Sequence, residues 1–149
     1  MSDIDWSNPE SQISHWFSVK EALWLPTWNR MADENDGLDD NIKNNLTTLF
    51  AQMDHVREFF ACPIVVHCAF RPAAYNQLVG GAKSSPHMEG MAVDFHVSEF
   101  NDGPGCDKVR ELLEPSLEAL QMRMEKNPGG NWVHLDRREP GPGGRFFKP

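Results

Sequence analysis

The segment Ser85-Pro86-His87-Met88-Glu89-Gly90-Met91-Ala92-Val93-Asp94-Phe95-His96 constrains the chain more than any other. Here the backbone must turn sharply, is interrupted at Gly90, and then enters the core. From Ala92 to His96 small or polar residues alternate with apolar ones, the pattern of a half-buried strand. On such a strand Val93 and Phe95 share one face, while Ala92, Asp94 and His96 share the other. A carboxylate and an imidazole on one strand face, with His87 just ahead of them, need an explanation. Either they hold a metal or they satisfy one another.

The rest of the composition sets limits. With 149 residues and 40% hydrophobic content, the chain is expected to form one domain over 1–149, with an N-terminal arm at 1–12 and a Pro/Gly-rich tail at 137–149. A formal net charge of -8 argues against nucleic acid or an anionic membrane as the main partner, since both need basic surface. Cys62, Cys68 and Cys106 are odd in number and form no CxxC pair, so neither a disulfide framework nor a thiolate zinc site is signalled. Met1 to Trp16 carries no basic-then-apolar segment, and no run approaches the ~18 apolar residues of a membrane span. The expectation is a chain made in the cytoplasm with no signal peptide and no transmembrane segment.

Along the chain, Ser18-Val19-Lys20-Glu21 is a capping box opening a short helix that Pro26 closes. Ile42, Leu46, Leu49, Phe50, Met53, Val56 and Phe60 recur at three- and four-residue steps, which predicts a long amphipathic helix ending before Cys62-Pro63. His55 lies close to that stripe and reads as structural. Ile64 to Phe70 is β-branched and short, and reads as a central strand that leaves Arg71 at its mouth. Ala73 to Val79 has room for two helical turns, and Gly80-Gly81 for a chain reversal. Asn101 to Gly105 and Asn127 to Gly130 are turn-forming. The pattern between them, Asp107 to Lys126, is helical, with a kink or break at Pro115.

Asn131 to Asp136 is the last strand, with Trp132, His134 and Asp136 on one face and Val133 and Leu135 on the other. Two strands thus each present an acid and an imidazole on one face. Three ligands of the type His, Asp and His, with a fourth position left to water, would form the open arrangement of a catalytic zinc. Calcium and magnesium prefer all-oxygen shells. The alternative is that these residues pair with one another as ordinary strand polar groups.

The wording of the motifs adds a resemblance. Ser85-x-His87-x-x-Gly90-x-Ala92-x-Asp94, followed by Trp132-Val133-His134-Leu135-Asp136, resembles the M15 family of zinc peptidases, as do Cys68 to Pro72 and Asn76 to Ala82 upstream. That family groups D-Ala-D-Ala carboxypeptidases, murein endopeptidases and phage endolysins. The resemblance implies an α+β chain of the hedgehog/DD-peptidase type, with a small antiparallel sheet carrying a zinc site and packed against helices. It implies His87, Asp94 and His134 as Zn²⁺ ligands and Arg71 as the group that engages the substrate's carbonyl or carboxylate. Ser85 would hold the loop or a ligand in place.

One position departs from the pattern. Many members carry an acid three residues before the second histidine, as the base that takes a proton from water; here it is Asn131, whose amide cannot exchange a proton at neutral pH. Strand alternation points Asp136 and His96 to the metal's side, as base or as orienters of a ligand imidazole, with Glu89 a weaker candidate. The implied function is zinc-dependent hydrolysis of peptide bonds in peptidoglycan stem peptides or cross-links. The alternative is a non-catalytic zinc-binding domain of the same fold, serving as a wall-binding or virion structural module. Such a chain would act on the cell wall or periplasm after release by phage lysis or carriage on a virion.

Overall fold

The computed structural model describes residues 3–100, 105–126 and 131–148. It is α+β. The turn-forming stretches 101–104 and 127–130 lie outside the described residues.

The capping box forms as the sequence predicts: Ser18 accepts from the Glu21 amide and the Glu21 carboxylate accepts from the Ser18 amide. It opens helix α1 (Val19–Leu23), which ends before Pro26, because Trp24–Leu25 turns into strand β1 and pairs with β2 (Arg30–Met31). Asp39 caps the long helix α2 (Asp40–Phe60), whose Leu46, Leu49, Phe50, Met53 and Val56 are buried. This stripe packs into one core with the apolar face of a five-stranded sheet, including Val93, Phe95, Val97, Val133 and Leu135. The opposite face of the same strands is thereby left to polar residues.

The sheet comprises β3 (Ile64–Cys68), β4 (Ala92–Val97), β5 (Arg123–Glu125), β6 (Val133–Asp136) and β7 (Phe146–Phe147), in the order β3-β4-β6-β5-β7. Three points differ from expectation. β3 is an edge strand rather than a central one, and its alternating exposure leaves Val65 open to solvent. The helix after Gly105 does not run to Lys126. It is α4 (Gly105–Leu113), a 3₁₀ turn at Glu114–Ser116 around Pro115, and α5 (Leu117–Leu120), ended by Gln121 in the left-handed region, after which β5 begins. The C-terminal tail is not merely draped on the surface, since Phe146–Phe147 joins the sheet parallel to β5. The sheet is therefore mixed, not wholly antiparallel.

Helix α3 (Ala73–Leu78) follows β3, and a 3₁₀ turn at Pro86–Glu89 leads into β4. That turn closes at Gly90, with φ of 70°, where a Cβ would lie 3.0 Å from Ile42 and Leu46 on α2. Only glycine combines this left-handed backbone with such close helix packing. No helix among the described residues is long and apolar enough to cross a membrane.

Candidate metal centre

The polar face of the sheet is organised in cross-strand rows. Register pairs Cys68 with Asp94 and Asp94 with His134. The β5–β6 register, Arg123 with Asp136 and Met124 with Leu135, carries Glu125 opposite His134, and Glu125 pairs onward with Phe147. Directly paired residues share a face. One row across four strands is therefore Asp94, His134, Glu125 and Phe147. The neighbouring row is Ala92, Asp136 and Arg123.

His87 reaches this face from the turn before β4. Its backbone amide donates to Ser85 Oγ at 3.2 Å, so Ser85 fixes the turn. His87 Nδ1 lies 2.7 Å from the Ala69 carbonyl, which can only accept, so Nδ1 donates there and Nε2 is the ring atom turned to the cleft. That Nε2 lies 3.3 Å from Asp94 Oδ1. His134 Nδ1 lies 2.8 Å from the same oxygen. One ligand atom from each of His87, Asp94 and His134 falls within 4.8 Å of the others, and all three residues are buried. Two imidazoles and one carboxylate, buried and converging, are a donor set that a divalent metal ion fits.

The electrostatics agree. Burial pushes the Asp94 carboxyl up, but His87 and His134 outweigh it and hold it well below the usual carboxylate range. Burial pulls the His134 imidazole down, yet Asp136 and Asp94 together raise it to about 9. Both ring nitrogens of His134 face carboxylate oxygens, which only accept, so the ring holds two protons. A metal at Nδ1 would take the place of one of them.

Asp136 belongs to this assembly from behind. Its Oδ2 lies 2.9 Å from His134 Nε2, and Arg123 donates to it through Nε at 2.8 Å and Nη2 at 2.9 Å. Burial raises its carboxyl, but His134 and Arg123 prevail and keep it ionised at lower pH than an ordinary aspartate. Asp136 is fully buried and gripped by a guanidinium fork, with one oxygen against the His134 ring.

Arg71 stands on the other side of the row, donating to Asp94 Oδ2 at 3.2 Å and to Asn76 Oδ1 at 3.3 Å. Buried Asn76 in turn donates to the Ala82 carbonyl at 2.8 Å. Gly81 makes this possible: a Cβ there would stand 2.0 Å from Asn76 Oδ1. Arg71, His87, Asp94, His134 and Asp136 all line one cleft of about 550 Å³, whose wall includes Glu125, Trp132, Arg138 and Phe147. The volume falls in the range of sites that enclose a small ligand.

His96 is not brought to this cleft. It sits two residues farther along β4, opposite Val65, with Nδ1 2.7 Å from His67 Nε2. Glu89 points outward to Arg138, whose Nη2 donates to Oε1 at 3.0 Å. Asn131 is exposed, and its Oδ1 accepts from Cys106 Sγ at 3.3 Å. Sequence reasoning missed Asn76, Arg123, Glu125 and Phe147. For Arg123 and Glu125 the only signal was a charged–apolar–charged triplet, too short to outweigh the helical pattern before it. Burial raises the Glu125 carboxyl; the His134 and His87 rings pull it down, and the carboxylates of Asp94 and Asp136 add to the rise.

No curated protein matches the chain. The family model described as Peptidase M15 matches residues 27–136, a span that contains the turn, both ligand-bearing strands and Arg71. With that match over most of its length, the chain belongs to the Peptidase M15 family.

Proposed function

We propose that this chain is a zinc-dependent peptidase of the hedgehog/DD-peptidase type, hydrolysing peptide bonds in peptidoglycan stem peptides or cross-links. The observation that carries the proposal is the convergence of His87 Nε2, Asp94 Oδ1 and His134 Nδ1 in a cleft that Arg71 also lines. The mixed nitrogen and oxygen donor set suits zinc better than calcium or magnesium. Bound there, zinc would polarise the scissile carbonyl and lower the pKa of bound water to about 7.

The remaining work falls to side chains of this chain. Arg71, braced by Asn76, offers a guanidinium fork to a substrate carbonyl or carboxylate. Asp136 holds the His134 ring by its Nε2, which leaves Nδ1 aimed at the ligand position. Ser85 holds the turn that delivers His87. The murein substrate is supported by the motif wording around His87, Asp94 and His134.

Purified murein digested by the zinc-loaded protein and read by mass spectrometry tests the proposal, with His134→Ala as control. New peptide termini released only by the intact protein are expected. Stoichiometric zinc with no release would favour the non-catalytic wall-binding or virion module, a reading that the amide at Asn131 recommends.

A further inference from the structure

We propose that Glu125 is the proton-transfer group of the hydrolysis, acting as general base and then general acid in place of the acid that Asn131 lacks; this rests on the peptidase reading above. Among the described residues three carboxylates line the cleft: Asp94, Asp136 and Glu125. Asp94 faces both histidines and Arg71. Asp136 is held by Arg123 and His134. Glu125 is on the cleft wall and half-buried, and none of the hydrogen bonds or ion pairs formed among the described residues engages its carboxylate. A half-buried carboxylate with no hydrogen bond or ion pair of its own among the described residues, on the wall beside the ligand cluster, is placed to take a proton from a water held there.

Its position is set by register. Glu125 lies opposite His134, on the β5 side, in the row that Asp94 enters from the β4 side. Arg71 reaches Asp94 from beyond the end of β3. Arg71 and Glu125 therefore flank the ligand cluster from opposite ends of one row, so a substrate anchored at Arg71 and lying across the cluster presents its scissile bond toward Glu125. Phe147, paired with Glu125 on β7, walls that end of the cleft.

In the step this implies, the Glu125 carboxylate takes a proton from the attacking water as the water oxygen bonds to the scissile carbonyl carbon. The resulting carboxylic acid gives that proton to the amide nitrogen as the C–N bond breaks. One water is consumed, one new carboxyl and one new amine leave, and Glu125 ends ionised as it began.

Glu125→Gln and Glu125→Asp, compared with the wild-type chain, test the assignment by two readouts. The first is turnover on murein: kcat is expected to fall ~10²–10⁴-fold in Glu125→Gln with KM and zinc stoichiometry unchanged, and to recover in part in Glu125→Asp. The second needs no turnover. With Co²⁺ in place of zinc, the visible spectrum of the wild type should change in a pH-dependent step that Glu125→Gln loses. Retention of that step in Glu125→Gln, an unchanged kcat, or loss of metal from the variant would overturn the assignment. A wild type that releases nothing from murein, yet shows a Glu125-dependent cobalt step, would sink the murein reading and leave the proton-transfer role standing.

Discussion

His134 is held between two carboxylates, Asp94 at Nδ1 and Asp136 at Nε2, and each bond has a separate consequence. Removing the charge at Asp136 leaves Arg123 without its bidentate partner and lets the His134 ring choose the wrong tautomer. Asp136→Asn is therefore expected to weaken zinc binding about 10–100-fold, measured by competition with a chromophoric chelator. Unchanged affinity would mean that the ring is positioned by packing alone. The second consequence concerns pH. The folded His134 is raised from 6.5 to about 9, so in the metal-free chain its bonds contribute stability fully present below pH 6.5 and lost as pH rises through about 9. Zinc works in the opposite sense, because it must displace one ring proton anywhere below that value. Zinc affinity should rise about tenfold per pH unit from neutrality towards pH 9. A plateau that starts near the ordinary histidine value of 6.5 would show that the carboxylate pair does not hold the second proton.

The element that places His87 relative to Asp94 is the 3₁₀ turn closed at Gly90 against α2. Gly90→Ala would force a β-carbon into Ile42 and Leu46 on a backbone of positive φ. The expected cost is about 1–3 kcal/mol in urea unfolding, with weaker zinc binding as the turn shifts. A variant that unfolds like the wild type would show that α2 gives way instead. This junction also marks how far the sequence can be read. Helix α2 is legible because its apolar stripe repeats over 21 residues, long enough for the period to be unambiguous. The turn and strand bearing His87 and Asp94, and the strand bearing His134, are legible because capping residues and strand parity are local. By contrast β5 and β7, of three and two residues, are too short to carry a period and exist only because the sheet edge accepts them. Glu125 and Phe147 become neighbours of the site through register, a relation between distant segments that no single segment encodes. The same limit misplaced His96: parity put it on the right face, and only the register against Val65 carries it past the cleft.

Over the whole molecule the candidate ligands tie together parts that are distant in sequence, with one from the turn after α3, one from β4 and one from β6. The three side chains converge with Asp94 between the two imidazoles. Metal bound to this arrangement has no equivalent in the unfolded chain, where the three segments separate, and its binding energy is added to folding. With free zinc held at 100 times the dissociation constant, the added stability is about 2.7 kcal/mol. For a chain of this length each kcal/mol moves the melting temperature by about 2–4 °C, which gives an expected rise of ~5–11 °C. Calorimetry on the chelator-stripped chain, repeated at stepped free zinc, measures that rise, and the midpoint should keep climbing with the logarithm of free zinc. His134→Ala should melt at the same temperature with and without zinc. Glu125→Gln should show the full zinc-dependent rise, because Glu125 faces the cleft without holding the ligands. A zinc-independent midpoint in the wild type would mean that the three side chains satisfy only one another.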